Sequence, residues 1–247
     1  MKKFGLVGFP LSHSFSKKYF SEKFNNENIK DTVYDNYELE EVIESLPRLI
    51  SKNPDLIGLN VTIPHKQNVI AVLDDMDEIA EDIGAVNVIK ILSDGSLKGY
   101  NSDYYGFKTS LEKLINKDLK NIKALILGTG GASKAVRKAL EDLGIEYQYV
   151  SRNAGDGCVA YEDLTSSIIE EHHLIINTTP LGMHPNMDAC PDIPYEAMGN
   201  QHFLYDLVYN PAETLFMKKG REQGVKAIHG LEMLHLQAEK AWEIWND

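Results

Sequence analysis

The chain has 247 residues, 43% hydrophobic and 25% charged, which suits one large or two small globular domains with an ample core. Lys+Arg 25 against Asp+Glu 37 gives a formal net charge of -12, so a general affinity for nucleic acid or an anionic membrane is excluded and an anionic small ligand needs a local cationic pocket. Cys158 and Cys190 lack Cys-x-x-Cys spacing, the histidines form no His-Glu-x-x-His pattern, and no apolar run is long enough to span a bilayer; the expectation is a cytoplasmic chain with no metal site, no disulfide framework and no membrane partner.

In chain order, residues 4–8 read as a strand, 16–24 as a helix, 32–37 as a strand and 39–50 as an amphipathic helix. Residues 56–61 are predicted as a strand, and 65–73 as a helix following Pro64. Two strands, 86–92 and 97–100, flank Asp94-Gly95, a strong hairpin signal. The first hundred residues therefore predict an α/β domain with a mixed sheet. A connecting helix over 103–115 ends at the polar break Asn116-Lys117-Asp118.

A fresh βαβ rhythm follows: strand 122–127, helix 132–143, the stop signal Gly144 and strand 145–150. Further strands are predicted at 174–177, 203–208 and 225–228, with loops over 153–157 and 184–194. Residues 231–245 form an amphipathic helix through Leu234, Ala238, Ala241 and Trp245.

Two polar segments precede the second half: Asn60-Val61-Thr62-Ile63-Pro64-His65-Lys66 and Gly99-Tyr100-Asn101-Ser102-Asp103. Each closes a predicted strand and delivers one ionisable group, Lys66 or Asp103, where a helix is predicted to begin. The positive end of a helix dipole and partial burial both disfavour an ammonium, and that environment suits a lysine to acid or base work. Taken alone, Lys66 reads as a solvated surface charge and Asp103 as a helix N-cap.

Beyond the strand ending at Leu127, Gly128-Thr129-Gly130-Gly131-Ala132-Ser133 opens a helix where a dinucleotide fold requires it. Small residues let the backbone approach a pyrophosphate, and helix N-terminal NH groups hold its charge. The third glycine position is Ser133, and the alternative is a tight turn that binds nothing. The next strand ends Ser151-Arg152-Asn153, with a guanidinium and no carboxylate at the place that reads the ribose, which favours NADP(H) over NAD.

With these segments in hand the chain resembles the shikimate dehydrogenase family along almost its whole length. The motifs that match in order are residues 8–16 (Gly-Phe-Pro-Leu-Ser-His-Ser-Phe-Ser), 60–66, 84–87 (Gly-Ala-Val-Asn), 99–106, the Gly128 turn, 177–183 (Asn-Thr-Thr-Pro-Leu-Gly-Met), 206–211 (Asp-Leu-Val-Tyr-Asn-Pro), and Gly230-Leu231-Glu232-Met233-Leu234 leading to Gln237. The resemblance implies a substrate-binding and catalytic domain from residues 1–102 and 231–247, a Rossmann-type NADP-binding domain from 103–230, and catalysis in the intervening cleft. It also implies a monomer or homodimer. The implied activity is reversible NADPH-dependent reduction of 3-dehydroshikimate to shikimate, an oxidoreductase step toward chorismate and the aromatic amino acids.

In that family reading, Lys66 is the acid and base, with electrostatic stabilisation of the developing oxyanion as the alternative role, and Asp103 bonds a ring hydroxyl and pairs with Lys66. Ser14 and Ser16 hold the substrate carboxylate with help from Tyr209, while Thr62, Asn87 and Gln237 serve the ring hydroxyls. Gly128, Thr129, Gly130, Gly131, Ala132, Ser151 and Arg152 hold the cofactor. Leu207 lies near the nicotinamide, and Gly230 permits close backbone approach. His13 and Glu78 are taken as structural, and Met183 and Met233 as core residues. Departures from the family pattern include Lys17-Lys18 after Ser16, Ser102 in place of threonine, and the thinned Ser151-Arg152-Asn153 run, which weakens the expected preference for NADP. Rival readings are a quinate/shikimate dehydrogenase and, from another class, a catalytically inactive nucleotide-sensing module.

Overall fold

The computed structural model describes residues 1–11, 14–115, 122–155 and 157–247. His13 and the predicted break at 116–118 lie outside the described residues. The chain divides into two compact units, Met1–Ser102 with Ala238–Asp247, and Asp103–Gln237.

The first unit contains β1 (Lys2–Gly8), α1 (Phe15–Asn26), β2 (Thr32–Glu38), α2 (Ser45–Lys52), β3 (Leu56–Val61), β4 (Asp75–Met76), α3 (Glu78–Ile83), β5 (Val88–Ile91) and β6 (Leu97–Tyr100). They build one six-stranded sheet in the order β2-β1-β3-β5-β6-β4. Strands β1, β2 and β3 are parallel, β5 runs antiparallel to β3 and β6, and the Asp94-Gly95 hairpin joins β5 to β6 with Gly95 at φ +87°. Alternation along β1 sends Phe4 and Leu6 to one face and Val7 to the other, so both faces carry a core. On the first face Phe4, Phe20, Phe24 and Tyr34 meet Trp245, whose indole lies over Gly58.

Two predicted helices contract. Residues 39–44 stay out of α2 because the Glu41 carboxylate accepts the NH groups of Ile43 (2.5 Å) and Glu44 (2.9 Å), an alternative to helical bonding that acidic side chains offer readily. The helix expected over 65–73 is a short 3₁₀ helix, Asn68–Val72, so Lys66 stands in the turn ahead of it and not at an α-helical N-terminus. Helix α3, which the sequence reading passed over, is closed by its Asp77 N-cap and by Gly84 at φ +65°.

The second unit begins one residue into α4 (Ser102–Ile115) and continues with β7 (Lys123–Leu127), α5 (Gly131–Asp142), β8 (Glu146–Ser151), β9 (Cys158–Ala160), α6 (Ser166–Glu171), β10 (Leu174–Asn177), β11 (Phe203–Asp206), α7 (Leu215–Glu222), β12 (Lys226–His229) and the start of α8 (Leu231–Asn246). Its sheet is wholly parallel, ordered β12-β11-β10-β7-β8-β9. Counted from β7, this is the doubly wound order 3-2-1-4-5-6 of a dinucleotide-binding fold, whose order reverses between β7 and β10. Ala124, Ile126, Leu174, Ile176 and Tyr205 pack on one face with Phe107 and Met233, and Leu125, Leu127, Ile175 and Leu204 on the other with Phe216 and Met217. No helix of the described residues is long and apolar enough to cross a membrane.

Candidate active site

In the first unit the predicted residues collect at the C-terminal ends of β1 and β3, where the strand order reverses and open α/β sheets bind ligands. Ser14 is the N-cap of α1, its Oγ accepting the Lys17 NH at 3.4 Å. The buried hydroxyl of Tyr34, which the Ser16 side chain neighbours, donates to Asn60 Oδ1 at 2.7 Å. Burial pushes the ionisation of Tyr34 far upward, so this hydroxyl keeps its proton. Asn60 Nδ2 in turn donates to the Asn87 carbonyl at 3.4 Å, and Asn87 Nδ2 donates to Ser102 Oγ at 3.0 Å while its Oδ1 accepts the Ser102 NH at 2.7 Å. A continuous chain of hydroxyl and amide groups thus runs from Tyr34 to Ser102. Tyr34 and Asn60 were not among the predicted site residues; Asn60 sits inside a recognised motif, but Tyr34 is 26 positions from its partner.

The Lys66 segment is held by its backbone. Thr62 NH donates to Val7 O (2.9 Å), Phe9 NH to Ile63 O (3.1 Å), and Val86 NH to Lys66 O (2.7 Å), which ties the 60–66 and 84–87 motifs together. Gly8 is required where β1 ends, because a Cβ there would lie 2.4 Å from the Thr62 methyl and 3.0 Å from Ile63 O. Lys66 itself is half-buried.

In the second unit Asp103 is buried in the first turn of α4. The glycine turn follows β7 at the reversal point. Gly128 adopts φ +105°, and a Cβ on it would press within 3.0 Å of Thr178 and Thr179 at the end of β10. Around Gly130 the space is open, and α5 starts there with no side-chain cap, so exposed backbone and the helix terminus form a cradle with room for a pyrophosphate. Ser133 fits the third glycine position because it is buried and its Oγ donates back to Gly130 O at 2.7 Å. Thr129 and Gly130 are exposed, Gly131 and Ala132 half-buried. The residues present therefore suit a dinucleotide.

At the end of β8, Arg152 is exposed beside the turn in which Ser151 Oγ binds the backbone of Asn153. Leu207 and Gly230 meet, a Cβ on Gly230 falling 2.3 Å from Leu207 O. Tyr209 is half-buried, and Gln237 packs on Gly106 of α4. Met233 is a core residue as expected, but Met183 is 42% exposed because the loop after β10 leaves the sheet.

One group the sequence reading did not single out organises this end of the second unit. Asp206 closes β11, fully buried, and accepts Asn177 Nδ2 (2.9 Å), the Val208 NH (3.0 Å) and Thr214 Oγ1 (2.6 Å). Burial nevertheless pushes its carboxyl up to about 6, the three donors offsetting only part of the desolvation. Since the folded value lies above the unfolded one, the stability contributed by the protonated group is complete below about pH 4 and is lost as pH rises through 6. The stability difference between wild type and Asp206→Asn should therefore fall by roughly 2 kcal/mol between pH 4 and pH 6.5 in denaturant titrations. A difference that stays flat with pH would remove Asp206 as the titrating group.

Comparison with known proteins agrees with this geometry. Residues 6–89 match the model of the shikimate dehydrogenase substrate-binding domain. A shikimate dehydrogenase (NADP(+)) of Clostridium beijerinckii is 43% identical over 258 residues, spanning 100% of this chain and 93% of the relative. Among solved structures, shikimate dehydrogenase 1 of Peptoclostridium difficile superposes with a TM-score of 0.86 at 40% identity, covering 100% of this chain and 92% of that one. The Thermus thermophilus enzyme in complex with NADP(H) and shikimate superposes with a TM-score of 0.85 at 30% identity, covering 99% and 93%.

Proposed function

Because the chain belongs to the shikimate dehydrogenase family, we propose that it catalyses the reversible NADPH-dependent reduction of 3-dehydroshikimate to shikimate. The observation that carries the reading is the chain of hydroxyl and amide groups from Tyr34 to Ser102, lying at the strand ends beside the Lys66 segment and one residue before Asp103. A ring bearing a carboxylate and several hydroxyls needs such a set of oriented donors and acceptors.

The backbone of the Gly128 turn would hold the dinucleotide, which would supply or take up the hydride. The remaining chemistry falls to side chains. Ser14 and Ser16 orient the substrate carboxylate with Tyr209, and Thr62, Asn87 and Gln237 bond ring hydroxyls. Asp103 accepts from a ring hydroxyl and fixes the ring. Lys66 Nζ delivers the proton that converts the developing alkoxide into the hydroxyl, and removes it in the oxidative direction. Cys158 and Cys190 are free thiols, which suits a reducing cytosol.

The decisive assay is absorbance at the reduced nicotinamide band with shikimate and NADP(+): turnover is expected, and no reduction of either cofactor would leave only the family fold. Cofactor choice rests on Arg152, exposed where a ribose-reading acid is absent. Arg152→Ala should raise KM for NADP(+) several-fold and leave KM for NAD nearly unchanged. An equal rise for both would mean that Arg152 does not read the 2'-phosphate.

A further inference from the structure

His65 stands directly before Lys66, yet nothing in the reaction assigns it a task. Its ring is 2% exposed and lies in a turn, an unusual place for an imidazole to be so completely enclosed. Nε2 is 2.6 Å from the carbonyl of Leu39, and because a carbonyl only accepts, Nε2 carries the hydrogen. Nδ1 is then the acceptor nitrogen, and it is buried with no hydrogen-bond partner among the described residues. An apolar ring would fill this space without burying an unpaired nitrogen. What the imidazole alone provides is the bond to Leu39.

Leu39 belongs to a short strap that leaves β2 and reaches both functional loops of the first unit. Glu38 Oε1 accepts the Leu11 NH at 2.8 Å, and the Leu39 NH donates to Gly8 O at 3.1 Å, so the strap holds the chain leading to Ser14 and Ser16. Through its carbonyl the same residue holds His65, and with it the turn bearing Lys66. Backbone groups also tie this turn: Thr62 NH to Val7, Ile63 O from Phe9, and Lys66 O from Val86. His65 supplies a side-chain tie between the turn and the strap.

We propose that His65 is a positioning residue, which through its bond to Leu39 O sets the placement of Lys66 relative to the carboxylate-binding loop. The proposal rests on the reading of Lys66 as the proton donor. It does not make His65 a catalytic residue, since its ring reaches no reacting atom. A catalytic group displaced by about 1 Å can lose a large part of its effect while substrate binding persists, so the loss belongs in kcat and not in KM.

The test uses His65→Phe, which fills the site and removes the donor, and His65→Gln, whose Nε2 can reach Leu39 O. Each is made in the full chain alone and with Lys66→Met, and kcat, both KM values and thermal midpoints are measured with shikimate and NADP(+). His65→Phe is expected to lower kcat about tenfold with both KM values within about twofold, and His65→Gln to recover most of the loss. In the Lys66→Met background His65→Phe should cause no further loss of residual turnover, because there is no longer an ammonium to misplace. If His65→Phe does not fold, His65→Leu removes the same donor with less bulk and carries the same expectation. A His65→Phe kcat within twofold of wild type, no recovery with Gln, or an undiminished tenfold loss in the Lys66→Met background overturns the proposal. Wild-type turnover in Lys66→Met alone overturns the reading of Lys66 instead, and the positioning role with it.

Discussion

Lys66→Met should lower kcat by about 100-fold or more while KM for shikimate changes by no more than a few-fold. Methionine keeps nearly the length and shape of the lysine stem but removes the ammonium. The backbone of the turn does not depend on that ammonium, since Lys66 O is held by Val86 NH at 2.7 Å and the flanking residues by Val7 and Phe9. The ground-state contacts proposed for Ser14, Ser16 and Asn87 remain. What is lost acts on charge that develops as the alkoxide forms, and an interaction made only in the transition state appears in kcat. Steady-state kinetics in both directions, with a thermal melt to show an intact fold, decide the matter. Turnover at the wild-type rate would take Lys66 out of the chemistry.

The second large effect is structural and concerns the end of α8. Trp245 is 5% exposed, with its ring centroid 4.8 Å from Phe4 and 5.5 Å from Phe20, and its Nε1 donates to Ile89 O at 3.0 Å. Its indole occupies the space left by Gly58, where a Cβ would come within 2.3 Å of the ring. Trp245→Ala therefore opens a cavity against the mixed sheet and strips a buried carbonyl of its donor. A loss of about 3 to 5 kcal/mol is expected for the first unit, read as a shift of its denaturant midpoint. Gly58→Ala should be damaging for the converse reason, because the rigid indole cannot give way. A Trp245→Ala loss below about 1 kcal/mol would mean that α8 contributes little to that core.

Legibility in the sequence followed the range of the interactions concerned. The Gly128 turn was readable because its requirement is local: φ +105° and the close approach of Thr178 and Thr179 admit glycine and little else. Helices α3, α6 and α7 were passed over, although Asp77, Thr165 and Thr214 cap them with side-chain bonds to the third helical NH. At six to eight residues they are too short for periodicity to register, so the caps were their only signal. Over 39–50 the error ran the other way. Leu39, Val42 and Leu46 have helical spacing, but Glu41 captures two NH groups and turns the first half into the strap.

By itself the sequence determined the two α/β halves, the parallel sheet with its nucleotide turn, and the family, because each is written in contiguous residues whose backbone demands are local. Tertiary structure alone decided that Tyr34 bonds Asn60, that Asp206 gathers Asn177 and Thr214 at one buried carboxyl, and that His65 fastens the Lys66 turn to Leu39. Most of these bonds link residues 26 to 29 positions apart on different strands or turns, and all need the chain folded before the partners meet. A propensity, cap or spacing rule sees one segment at a time. Which buried polar atom faces which is settled only when packing excludes water and each group must take the partner the fold has brought within reach.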